Sequence, residues 1–151
     1  MKKVFLFFSL FCLLVLLVPS KVLAIDGPAR LKVVPTWLVA ELKSVKMLGD
    51  NLCSIELLLT NTTDKDYNVR FNAKSVNAYD DEGNQYNSFV IILPNGERRE
   101  NMAYDLVLPA DIPVKYTLQI PGIKDEATTL LRVDWVEIMR LLDIPLNRGE
   151  F

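Results

Sequence analysis

Residues Tyr79 to Asn84 read YDDEGN, three consecutive carboxylates followed by Gly83 and Asn84. Acids crowded ahead of a glycine pose a choice between a cation loop and a tight turn. A calcium site takes about six to eight oxygens, usually from alternating positions along a loop. Here Asp80, Asp81 and Glu82 are adjacent and few, and the EF-hand spacing is missing. Glycine beside asparagine supplies the positive φ that a tight hairpin demands. The turn is therefore the stronger reading and the cation site the weaker. On that reading Gly83 carries the requirement, and Asp81→Asn and Glu82→Gln leave stability nearly unchanged, as exposed substitutions do.

The remaining inventory for chemistry is short. There is no histidine, so Ser-His-Asp and Cys-His arrangements lack their base. Cys12 and Cys53 are the two cysteines, and no nitrogen-and-sulfur ligand set for zinc exists. Neither GxGxxG nor a P-loop nor GxSxG occurs. The 19 acids would allow a glycosidase-type carboxylate pair, but nothing in their spacing singles out two of them. No catalytic residue, metal ligand or cofactor is assigned, and the chain reads as a non-enzyme. Arg98 and Arg99, set between Glu97 and Glu100, are either a self-neutralised hairpin or a partner-facing pair. Arginine is enriched at binding hot spots, which makes these two the candidate partner-binding residues. In TNTTDKD, Asp64 and Asp66 turn the chain, and Asn61-Thr62-Thr63 is a glycosylation acceptor if the source glycosylates.

Strands must position these groups. Cys53, Ile55, Leu57 and Leu59 alternate with Ser54, Glu56 and Thr60, which makes Cys53 a buried, inert thiol. Tyr67, Val69 and Phe71 alternate with Asn68, Arg70 and Asn72, and Val114, Tyr116, Leu118 and Ile120 with Lys115, Thr117 and Gln119. Leu131, Val133 and Trp135 are expected inward, with Arg132 and Asp134 outward. Period two is the signature of a half-buried strand, whose successive side chains point to opposite faces. Turn residues at 49–51, 61–66, 81–84, 94–96, 109–113 and 121–122 separate the runs. Residues 37–48 fit a strand with a bulge better than a helix, although Leu38, Leu42, Val45 and Leu48 also lie at helical spacing, with Thr36 and Gly49 as caps. VEIMRLLDI is compatible with a short helix ended by Pro145, and LNRGEF reads as a frayed tail. Trp37 and Trp135 read as core side chains rather than ligand platforms.

The first residues bear on the compartment. Lys2 and Lys3 precede an apolar run of 15 residues, Val4 to Val18, interrupted only by Ser9. Pro19 and Ser20 then break it ahead of Val22-Leu23-Ala24. That is the pattern of a cleaved secretory signal over 1–24, shorter than the roughly 20 apolar residues of a membrane span. Cleavage leaves 127 residues, enough for one domain with its own core. The leader holds three lysines and no acid, so 14 basic residues remain against 19 acidic, a net −5. Without a run of Lys and Arg the chain offers phosphate no basic stripe, so neither nucleic acid nor an anionic membrane is an expected partner. Once the leader is gone, no membrane insertion is expected.

The order of these segments resembles a known family. LTNTTDKDYNVRF, then AYDDEGNQY, then LPADIPVKYTLQIPGI and a final LLRVDWVEI are similar to the telokin-like, immunoglobulin-like domain of exported bacterial proteins of unassigned function. Asn61, Thr62 and Thr63 match its Asn-and-Thr/Ser turn, and Asp81, Gly83 and Tyr86 its acid–glycine–aromatic turn. Pro109 and Pro113 match its proline lead into a strand, whereas Ile112 stands where the family usually has glycine. The likeness covers about 37–139 and brings no catalytic residue with it. The expected architecture is all-β, an immunoglobulin-like β-sandwich of about seven antiparallel strands. It spans 37–139, between an N-terminal segment at 25–36 and a tail at 140–151. The expected function is protein–protein binding or a structural role by a secreted or periplasmic module, with another envelope or extracellular protein as partner. The alternatives are a secreted inhibitor of a protease or other hydrolase, and a carbohydrate-binding or carbohydrate-active protein.

Overall fold

The computed structural model describes residues 29–49, 51–72, 76–100, 103–135 and 137–148. Among them every regular element is a strand. One five-stranded sheet runs in the order β1 (Arg30–Val33), β12 (Met139–Pro145), β11 (Thr129–Trp135), β5 (Val76–Asp80) and β6 (Gln85–Tyr86). The second runs β2 (Leu38–Leu48), β3 (Leu52–Asn61), β10 (Val114–Pro121), β7 (Val90–Ile92) and β8 (Arg98–Glu100). A two-stranded ribbon pairs β4 (Tyr67–Asn72) with β9 (Ala103–Leu108). All these pairings are antiparallel, and the sheets form the expected β-sandwich. The strands outnumber the expected seven because several, such as β6, β7 and β8, are pieces of two or three residues.

Period-two patterning builds the core. Cys53, Ile55, Leu57 and Leu59 of β3 are all sealed from solvent, as are Tyr116, Leu118 and Ile120 of β10, which pairs with it. In the first sheet, one inward row crosses five strands as Leu31, Leu141, Val133, Ala78 and Tyr86. A parallel row sets Val33, Met139, Trp135 and Val76 side by side, with Trp135 only 2% exposed. The ribbon adds Val69, Leu106 and Leu108 to the same core. Each apolar side chain buried in this way contributes roughly 1.5–3 kcal/mol.

The alternation fails in one strand. Leu131 is 48% exposed and Leu130 is buried, the reverse of the phase expected for β11. A bulge causes it: the register with β5 shifts between Leu130 and Arg132. The pairing with β12 skips Leu131 and Asp143 together, and Asp143 sits at φ +54°. An extra residue inverts the face of everything before it. By contrast, the bulge expected in residues 37–48 is present, between Leu42 and Ser44 of β2.

The two ends also differ from expectation. The described part of VEIMRLLDI, residues 137–144, forms no helix. Ile138 N–H donates to the Trp135 carbonyl at 3.0 Å, Glu137 adopts φ +68°, and the chain returns as β12. Strands therefore extend from Arg30 to Pro145, beyond 37–139 at both ends, because β1 and β12 complete the first sheet. Leu146 is buried and its N–H donates to the Thr128 carbonyl at 2.8 Å, so the start of LNRGEF is docked rather than frayed. The leader, residues 1–24, lies outside the described residues.

Candidate functional site

The acidic turn is a structural node. Gly83 takes φ +84°, and its N–H reaches the Asp80 carbonyl at 3.3 Å, closing the link between β5 and β6. Asp80 ends β5 on its inward side and is 1% exposed. Its Oδ1 accepts from the N–H groups of Glu82 (3.1 Å) and Asn84 (2.7 Å). Its Oδ2 accepts from Asn84 Nδ2 (2.9 Å) and the Tyr86 hydroxyl (2.5 Å). Burial works to raise the Asp80 pKa, but these hydrogen bonds outweigh it and hold the carboxyl below its ordinary value. The Tyr86 hydroxyl, in turn pushed up to about 12 by burial and by its bond to Asp80, accepts from Lys124 N–H at 3.2 Å.

Asp81 does more than turn the chain. Its carboxylate accepts from Thr128 N–H (3.1 Å), Thr129 N–H (3.3 Å) and the Thr128 hydroxyl, and its own N–H donates to the Thr129 carbonyl at 3.0 Å. Desolvation opposes ionisation, yet those donors leave its pKa lowered. The expectation that Asp81→Asn is silent is therefore corrected: the side chain ties the turn to the start of β11, some fifty residues away in sequence. Glu82 is exposed and its carboxylate has no such role. Among the described residues, no three His, Cys, Asp or Glu side chains gather as a metal ligand set.

Asn61 is buried as well. Its Nδ2 donates to the carbonyls of Lys65 (2.7 Å) and Leu108 (3.0 Å), and its Oδ1 accepts from Thr63 N–H (3.0 Å) and Thr63 Oγ1 (2.8 Å). Every hydrogen-bonding position of this amide is directed inward, so the folded protein presents no acceptor nitrogen at the Asn61-Thr62-Thr63 sequon. Cys53 is sealed in the core, and burial pushes its thiol pKa up to about 12, which makes it inert as a nucleophile. Trp37 is half-buried and stacks on Tyr67 at 4.2 Å between ring centres. Tyr67 itself is 44% exposed rather than inward.

Arg98 and Arg99 lie on β8, the outer strand of the second sheet. Each is held by an acid of its own hairpin, Arg98 by Glu100 (3.3 Å) and Arg99 by Glu97 (2.6 Å). Arg99 Nε is buried and has no hydrogen-bond partner among the described residues. The turn between β7 and β8 also borders a groove of about 310 Å³ that sequence patterning did not expose. Leu93, Pro94, Asp105, Val107, Pro109, Val114 and Tyr116 are among the residues that line it. Val107 is 53% exposed there, and its carbonyl accepts from the Tyr116 hydroxyl at 3.1 Å. Among the described strands β9 pairs only with β4, and near the groove its Val107 carbonyl is already held by Tyr116 and its Leu108 carbonyl by Asn61. The signal in the sequence was Val107 at an outward position of an alternating strand, which by itself is unremarkable for a surface.

No family model, curated protein or solved structure matches this chain.

Proposed function

We propose that the chain is an exported, non-enzymatic binding module of the telokin-like, immunoglobulin-like kind, which grips another protein in the cell envelope or outside the cell. The observation that carries the reading is the apolar groove beside β9. An extended segment laid along it sets alternate side chains into the groove between Pro94, Val107 and Val114. Arg98 and Arg99 stand on the adjoining hairpin with part of each guanidinium-bearing side chain exposed. The secretory pattern of residues 1–24 supports export. An inhibitor of hydrolases is the second reading, favoured by the exposed tip Pro94-Asn95-Gly96. It ranks lower because it uses the tip alone and gives the apolar groove beside it no role.

A photo-crosslinking residue placed at Val107, with Leu131 as an equally exposed control on the other sheet, tests the proposal in the native source. One discrete protein adduct from position 107 and none from 131 is the expected outcome. Val107→Asp should abolish the adduct of a neighbouring probe at Val114 while leaving the melting temperature unchanged. A hydrolase as the captured protein would favour the inhibitor reading, and no adduct at position 107 would refute the groove.

A further inference from the structure

The second sheet ends on its longest strand. β2 runs 11 residues and pairs with β3 alone, so its outer edge is open among the described strands. Thr62 N–H donates to the Trp37 carbonyl at 2.8 Å, which sets the parity of that edge. Counting by twos from Trp37, Val39 and Glu41 turn their backbone groups toward β3, and Ala40 and Leu42 turn theirs outward. The bulge between Leu42 and Ser44 resets both this alternation and that of the side chains. Beyond it Lys46 and Leu48 are the exposed side chains, and Val45 and Met47 carry the outward backbone groups.

This phase change makes the strand self-complementary. Two antiparallel copies related by a twofold between Lys43 and Ser44 would, in a regular strand, set a solvent-facing residue against a core-facing one. With the extra residue, Val39 falls opposite the partner's Leu48 and Glu41 opposite the partner's Lys46. Ala40 and Leu42 then exchange backbone hydrogen bonds with the partner's Met47 and the partner's Val45. Sliding the copies by two residues in one direction sets Lys43 against the partner's Lys46. The opposite slide sets Val39 against the partner's Lys46. Only the central register matches both charge and apolar character.

The interior side of β2 is unfinished in the same place. Ala40, Leu42, Val45 and Met47 pack on the core but stay only half-buried. Lys43 is paired with Glu41 of its own strand at 3.2 Å, whereas Lys46 has no ion-pair partner among the described residues. Lysines often keep sheet edges apart; here each has a carboxylate in reach once Glu41 of a second copy arrives. We propose that β2 is a homodimer contact, joining two copies edge to edge about a twofold between Lys43 and Ser44 into one continuous sheet. This surface is independent of the groove beside β9.

Sedimentation velocity of the purified protein over a wide concentration range tests it, with circular dichroism melts to verify that each variant folds. The wild type should dimerise. Glu41→Lys and Lys46→Glu should each weaken the dimer by about tenfold, because symmetry repeats every cross-strand pair. The double variant Glu41→Lys/Lys46→Glu should regain most of the loss. A wild type that stays monomeric, single variants that dimerise normally, or a double variant with no recovery would each overturn the proposal.

Discussion

Three adjacent acids have three different fates. Asp80 is a buried anion with four donors, Asp81 a clasp on Thr128 and Thr129, and Glu82 a solvated side chain. Asp80→Asn removes the charge that those donors serve and leaves some facing a like donor, at a cost of about 2–3 kcal/mol. Asp81→Asn, partly exposed and so partly compensated by water, should cost about 0.5–1.5 kcal/mol. Glu82→Gln should stay within about 0.5 kcal/mol. Urea titrations of the three variants check that order; equal effects at positions 81 and 82 would reduce Asp81 to a plain turn residue. The pH dependence follows with a definite sign. Both Asp80 and Asp81 have folded-state pKa values below the ordinary one, so the unfolded chain binds more protons in acid. Their contribution is intact above the unfolded aspartate pKa of about 3.9 and is lost as pH falls through the lower folded values. Melting temperatures measured from neutral pH downward should therefore drop below about pH 4, and the drop should be shallower in Asp80→Asn. Tyr86 has the opposite sign: its raised pKa makes its contribution complete below about 10 and lost as pH climbs toward 12.

At the level of elements, bulges decide which side chains count. Leu130 and Leu131 are identical neighbours, yet one is fully buried and the other half-exposed, because the register of β11 against β5 shifts between Leu130 and Arg132. Leu130→Ala should cost about 2–5 kcal/mol through lost burial and the cavity left behind. Leu131→Ala should cost no more than about 0.5 kcal/mol. Chemical denaturation of the pair distinguishes the bulge from a regular strand, which would reverse the ranking. The β2 bulge acts in the same way on a surface, giving both halves of an edge strand the same outward parity.

For the whole molecule, stability resides in one continuous apolar core shared by the sheets and the ribbon. Cys53 is the only cysteine in the described residues and is buried and unpaired, and no metal ligand set gathers among them. Thermal melts with and without chelator or reductant should coincide, and Cys53 should react with a thiol reagent only after denaturant is added. A chelator-dependent drop in melting temperature would return attention to the carboxylates at 80–82. Alkaline pH alone should weaken the fold as the Cys53 thiol, held at about 12, is forced to ionise in the core.

Residue alternation and turn chemistry were enough to read the sandwich, the bulged strand at Leu38–Leu48, the turn at Gly83, the buried Cys53 and the core position of Trp135. These are local or period-two properties, written along the chain itself. Tertiary structure decided what depends on residues distant in sequence. It turned Asp81 toward Thr128 and Asn61 toward Leu108, and it shifted the phase of Leu131 through the bulge against β5. It opened a groove between Pro94 and Val107. It also placed Arg30, Lys32, Arg132 and Arg140 on the outer face of one sheet, where Asp134 and Asp143 hold three of them, although the sequence shows only scattered charge. The physical reason is common to all of these. A side chain's direction follows from its own strand's pleat, but its partner follows from which strand lies alongside, and register between distant strands is a property of the assembled sheet.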